Sequence, residues 1–157
     1  MNPTQRFLCD AIELAKANMH QGGRPFGAVV VRDGEVLATG VNEIVATNDP
    51  TAHAELVALR AASRKLGSPS LAGCAVYASG HPCPMCMAAM RLSGVSEVYY
   101  AYSNDDGAPY GLSTAAIYAD LARPFAEQSM RISHVPVRLE DGPDLYADWK
   151  RRQTGTG

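Results

Sequence analysis

The order of predicted elements, helix, hairpin, helix, strand, helix, strand, makes this an α/β chain with helices covering the faces of a sheet. Three observations predict it. Apolar residues recur at helical spacing near the N-terminus, Asp33-Gly34 lies between two β-rich runs, and residues 75–102 alternate strand, helix, strand.

Phe7, Leu8, Ala11, Ile12, Leu14, Ala15 and Met19 place a first helix over about residues 4–20, ended by Gly22, Gly23 and Pro25. Residues 26–32 and 35–41 flank Asp33-Gly34, a strong two-residue hairpin signal. After a polar loop, 42–50, residues 51–66 are rich in Ala, Leu, Glu and Arg and stop at Gly67, which predicts a second helix with Thr51 as N-cap. Residues 75–78 read as a short buried strand, 84–92 as a third helix ending near Gly94, and 95–102 as another strand. Such alternation builds parallel pairs. Residues 115–121 and 143–152 predict two more helices, with 131–137 a weaker strand between them.

A chain of 157 residues, 46% hydrophobic and 19% charged, is expected to form one domain over 1–157 with a real core. The net charge of -2 and a pI near 6.0 give no global attraction to phosphate backbones, so nucleic acid is not the expected partner. The basic run Lys150, Arg151 and Arg152 reads as a solvated helix end. No stretch approaches the roughly 20 apolar residues of a membrane span and the first ten residues show no leader pattern, so no membrane partner and a cytoplasmic location are expected. Of the four cysteines, Cys9 and Cys74 fall in apolar patterns and are expected to be small buried hydrophobes. Cys83 and Cys86 are spaced to bind a metal in a reducing compartment.

Two segments carry chemistry: Thr51-Ala52-His53-Ala54-Glu55 and His81-Pro82-Cys83-Pro84-Met85-Cys86, each at a predicted helix start. Residues three apart share a helix face, so Cys83 and Cys86 can grip one ion, and Pro84 suits the first turn. A helix N-terminus and a metal both lower thiol pKa toward the thiolate that zinc requires. His53 can be a third ligand, leaving the fourth tetrahedral position to water, as in a catalytic zinc. Glu55 lies two residues beyond His53, a spacing that works only if the helix points its N-terminus at the metal; Glu55 then carries protons between water and substrate. The other histidines, His20 and His134, read as surface or satisfied groups.

His53-Ala54-Glu55 followed by Pro82-Cys83-Pro84-Met85-Cys86 matches the H-x-E…P-C-x-x-C pattern of zinc deaminases. With Pro25-Phe26-Gly27-Ala28-Val29, Asn42 and Asn48-Asp49-Pro50, the chain resembles the cytidine and deoxycytidylate deaminase superfamily over about residues 7–149, most of all its bacterial guanine deaminases. The resemblance implies a three-layer α/β/α fold with a five-stranded mixed sheet, zinc on His53, Cys83 and Cys86, and a proton shuttle at Glu55. It also implies substrate contacts at Phe26, Asn42 and Ala54, although Phe26 also suits strand core and Asn42 the end of a hairpin strand. Relatives of this kind form homodimers, some by exchanging C-terminal segments; Tyr146 and Trp149 then either complete a neighbouring pocket or form the apolar face of the last helix.

Two departures bear on substrate. Guanine deaminases of this kind carry an acidic pair where this chain has Ser113-Thr114 after Gly111-Leu112, and losing a charge-assisted hydrogen bond typically costs about 1.5–3 kcal/mol. Many relatives have Glu where this chain has His81, a residue that contacts substrate, tunes the metal or simply ends the loop. Ser79 and Gly80 lead into the same mouth, where a backbone carbonyl can accept from the substrate amine. The expected function is hydrolytic deamination, with water as co-substrate, of a free base or nucleoside, an amino-purine favoured. The alternatives are another aminated heterocycle (cytosine, pterin, triazine), transfer-RNA adenosine, and a structural-zinc module without catalysis.

Overall fold

Asn2 starts the first helix of the computed structural model, which describes residues 1–155. Its side chain accepts from Gln5 N at 2.8 Å while Gln5 Oε1 accepts from Asn2 N at 3.1 Å, a capping box ahead of α1, Pro3–His20. Phe7, Ala11 and Ala15, four apart, form its buried stripe. Cys9 falls off that stripe and is exposed, against expectation, whereas Cys74 is buried as expected.

Strands β1, Gly27–Arg32, and β2, Glu35–Val41, pair antiparallel. Asp33 and Gly34 both take left-handed φ, 51° and 77°, as a two-residue turn matched to strand twist demands. A short helix α2, Ile44–Thr47, occupies the predicted polar loop. The next helix, α3, runs Ala54–Leu66 and starts three residues later than predicted. The cause is Asp49, whose carboxylate accepts from Thr51 N and Thr51 Oγ1 at 2.8 and 2.7 Å; it spends the Thr51 hydroxyl on a turn, and His53 becomes the N-cap. Then come β3, Cys74–Gly80; α4, Pro84–Ser93; β4, Glu97–Tyr102; α5, Asn104–Gly107; α6, Ala115–Leu121; and α7, Leu145–Gln153.

The sheet order is β2-β1-β3-β4, with β3 antiparallel to β1 and parallel to β4. Alternation along the strands divides the core. Val29, Val31 and Tyr77 face Phe7 and Ala11 of α1, while Ala28, Val30 and Val76 face Ala58 and Ala62 of α3 and Met90 of α4. Helix, sheet and helix thus make the three layers, each fully buried valine contributing roughly 1.5–3 kcal/mol.

The mixed α/β architecture is as expected, but among the described residues the sheet has four strands and not five. Residues 131–137 form no strand. Pro136 removes a ladder donor from the run, and Val135 and Val137 are each 70% exposed. The residues gather into two compact units, Met1–Ala122 and Arg123–Gly157. The second unit holds α7, capped by Asp144 and carrying Asp148 paired with Arg151 and Arg152 at 2.9 and 3.2 Å. Among the described residues, no helix is long and apolar enough to cross a membrane.

Candidate metal centre and active site

Two helix N-termini meet at one point. His53 is the N-cap of α3 and Cys83 the N-cap of α4, both in extended conformation with no side-chain cap bond of their own, so each side chain is available for other work. Pro84 follows Cys83 in the first turn, where its missing N–H costs nothing, and Cys86 lies one turn in. The positive ends of both helices favour anionic groups here.

His53 Nδ1 lies 3.4 Å from Cys83 Sγ and 3.6 Å from Cys86 Sγ, and the two sulfurs are 3.6 Å apart. Bonds of about 2.3 Å to sulfur and 2.05 Å to nitrogen at tetrahedral angles require edges of about 3.8 Å between sulfurs and about 3.5 Å from sulfur to nitrogen. The triangle matches a zinc face on both counts. Among the described residues no fourth His, Cys, Asp or Glu joins this group.

Glu55, in the first turn of α3, is 5% exposed and accepts from Cys86 Sγ at 3.0 Å. Burial pushes its carboxyl above the ordinary carboxylate range, against that hydrogen bond. Cys83 is lowered to about 4, chiefly by its hydrogen bond with Cys86, and Cys86 is pushed up, chiefly by the same contact and by burial. His53 is raised, chiefly by its bond to Cys83. One thiolate is thus already favoured, and a bound dication would take the place of the proton shared between the thiols.

A cavity of about 240 Å³ opens on these groups, walled by Arg24, Phe26, Asn42, Ala54, His81 and Thr114 among others. Asn42 is buried; its Oδ1 accepts from Ile44 N at 3.2 Å, and its Nδ2 has no partner among the described residues. Phe26, half-buried, both packs on the core and borders the cavity. Ser79 and Gly80 border instead an adjoining cavity of about 620 Å³ beside α1, and the Ser79 hydroxyl is spent accepting from Gly27 N at 3.0 Å. His81 borders both cavities. Trp149 belongs to the second unit and is exposed on α7 beside Leu145 and Tyr146.

Sequence reasoning missed Arg24 and Asn104, since neither has a local motif. Arg24 follows a glycine pair and reaches the rim only through that turn, whereas Asn104, which arrives after β4, borders the adjoining cavity of about 620 Å³ and bonds to His81 and Thr114 of this wall. Thr114 Oγ1 is buried in the wall with no hydrogen-bond partner among the described residues. Tyr118 OH donates to Pro82 O and ties α6 to the loop before Cys83.

One imidazole, two thiols and a buried acid at the floor of a small cavity, on an α/β/α frame, define a metal-dependent hydrolase. The cytidine and deoxycytidylate deaminase zinc-binding region matches residues 1–102. Guanine deaminase of Bacillus subtilis is 40% identical over 93% of each chain, and the transfer-RNA-specific adenosine deaminase of Aquifex aeolicus is 38% identical over 93% of each. The crystal structure of the Bacillus subtilis guanine deaminase superposes with a TM-score of 0.86 at 34% identity, covering 100% of this chain and 96% of that one. The chain belongs to the cytidine and deoxycytidylate deaminase family. It is a hydrolytic deaminase with zinc as cofactor, which sets aside the structural-zinc module.

Proposed function

We propose that this chain deaminates a free nucleobase or nucleoside, with an amino-purine such as guanine the favoured substrate. The observation that carries the reading is the buried Glu55 carboxylate 3.0 Å from Cys86 in a cavity of about 240 Å³, a space that suits one small ring system. Likeness to a guanine deaminase over 93% of both chains supports the purine. His53, Cys83 and Cys86 would hold the zinc. When bound, the ion supplies Lewis acidity that lets water act as nucleophile near neutral pH. Glu55 would take one proton from that water and deliver it to a ring nitrogen, then take the second proton from the hydroxyl added at the carbon and pass it to the departing amine, so that ammonia leaves and a carbonyl remains. Its burial suits it to hold a proton between those transfers. Phe26 packs on the ring face, and Asn42 gives its unpartnered Nδ2–H to a ring acceptor.

The catalytic unit is proposed to act as a homodimer in the cytoplasm. Support comes from apolar surface a monomer leaves in water: Tyr100 and Tyr102 on edge strand β4, 45% and 55% exposed, and Leu145 and Trp149 on α7. Four free cysteines suit a reducing compartment.

A second reading, deamination of adenosine in transfer RNA, is favoured by the Aquifex aeolicus relative. Purified zinc-loaded protein is incubated with guanine, other aminated bases and nucleosides, and with transfer RNA, and ammonia and products are measured. Ammonia from a free base or nucleoside is expected; inosine formed only within the RNA replaces the first reading with the second.

A further inference from the structure

Asn104 joins two sides of the cavity wall. The Thr114 backbone N–H donates to Asn104 Oδ1 at 3.1 Å, which fixes the amide, because the flipped form would set an N–H donor against that same N–H. The Asn104 Nδ2 is therefore the group 2.9 Å from His81 Nδ1, and it donates to that nitrogen. A ring nitrogen that accepts carries no proton, so neutral His81 bears its hydrogen on Nε2. The ring is clamped as well: Tyr100 and Tyr118 meet it edge-on with centroids at 4.7 and 5.3 Å, and its backbone N–H donates to Tyr102 O at 2.8 Å. Its Nε2 has no partner among the described residues.

The wall that His81 shares is rich in donors. Among the described residues Glu55 is its only carboxylate; Arg24 and His81 offer N–H groups, Asn42 has its oxygen engaged by Ile44 and its Nδ2 left over, and the Ser113 and Thr114 hydroxyls can donate or accept. A substrate N–H turned to His81 Nε2–H would face another donor, and buried donors left unpaired cost about 1–3 kcal/mol each.

We propose that His81, through Nε2–H, is a specificity-determining residue that accepts into the site heterocycles presenting a bare ring nitrogen or a carbonyl oxygen at this wall. The inference rests on the deaminase reading above and narrows its substrate class to lone-pair-rich aminated rings. 2-Aminopurine and cytosine, whose amino carbons adjoin bare ring nitrogens, satisfy it, while guanine fits only with an acceptor edge turned to His81 and not its N1–H.

Two measurements on the zinc-loaded full chain test it. In 15N-labelled protein, long-range 1H–15N correlation, assigned by loss of signals in His81→Gln, should show His81 protonated on Nε2; a proton on Nδ1 overturns the proposal. Kinetics then compare 2-aminopurine, cytosine and guanine with analogues in which one ring nitrogen is replaced by C–H. His81→Asn, which removes the ε position, should raise KM about tenfold with kcat within about twofold, and His81→Gln, which keeps an N–H near it, should restore most of the loss. At one ring position the C–H analogue should lose about as much in the parent protein as His81→Asn loses, with no further loss when the two are combined. Full additivity at every ring position removes the role of His81. Ammonia from no heterocycle at all removes the deaminase reading, a different result that the tautomer measurement keeps apart from the first.

Discussion

Glu55 Oε2 lies 3.0 Å from Cys86 Sγ, so the buried acid and one of the two thiols face each other across the N-termini of α3 and α4. That relationship separates proton transfer from metal retention. Glu55→Gln keeps the side chain's size and an acceptor oxygen but cannot carry a proton. Turnover is expected to fall about 10²- to 10⁴-fold, the range for a lost general acid–base. Zinc content by mass spectrometry and the far-UV circular dichroism spectrum should stay as in the parent chain. Loss of the metal in this variant would make Glu55 a structural group.

The metal is expected to support the fold around it as well as the reaction. His53, Cys83 and Cys86 lie on the caps and first turns of two helices, so a bound ion would tie those helix starts together. A ligand present at about a thousand times its Kd stabilises by about 4 kcal/mol, which for a chain of this size is on the order of 10 °C in Tm. Chelation followed by differential scanning calorimetry should show such a drop, reversed by added zinc. Cys86→Ala should show it without chelation, with little zinc bound and no turnover.

Asp49 holds the turn that delivers His53. Its carboxyl is kept below the ordinary carboxylate value, first by the Thr51 hydroxyl, then by the Thr51 backbone N–H, with a smaller contribution from Arg60. A depressed pKa means that the folded state favours the ionised form, so the contribution is present above the unfolded value near 4 and is lost as pH falls through the folded value. Urea midpoints of the zinc-free chain should therefore decline with acid more steeply for the parent than for Asp49→Asn. Parallel curves below pH 5 would show that the Asp49 hydrogen bonds do not contribute.

Much of this centre was legible because its chemistry is local. Cys83 and Cys86 share a helix face by spacing, Pro84 marks the helix start, and His53 with Glu55 makes sense only at a helix N-terminus, which is where both are found. The strand periods likewise placed β1, β2, β3 and β4 within a few residues. What could not be read came from side chains competing with simple patterns. Thr51 is a good N-cap in isolation, but Asp49 takes its hydroxyl. The run 131–137 alternates like a strand, but Pro136 interrupts its donors. Arg24 and Thr114 reach the cavity through loop paths that no periodicity encodes, and the Asn104–His81 bond depends on a backbone N–H ten residues further on from Asn104.

Gly40 reports on how closely the sheet holds the catalytic helix. A Cβ added there would lie 2.4 Å from Ala54 O and 2.5 Å from Ala58 N, both backbone atoms of α3 that cannot turn aside as a side chain would. Gly40→Ala must therefore push α3 off β2. Overpacking of this kind costs about 1–3 kcal/mol, which denaturant unfolding would read directly. The displaced turn is the one that carries Ala54 and Glu55 and adjoins His53. Positioning errors of about 1 Å at a reacting centre cost on the order of a hundredfold, so turnover at saturating zinc should fall by more than the stability loss explains at temperatures where the variant remains folded. If the folded variant instead kept full activity, the close contact between β2 and α3 would serve packing alone.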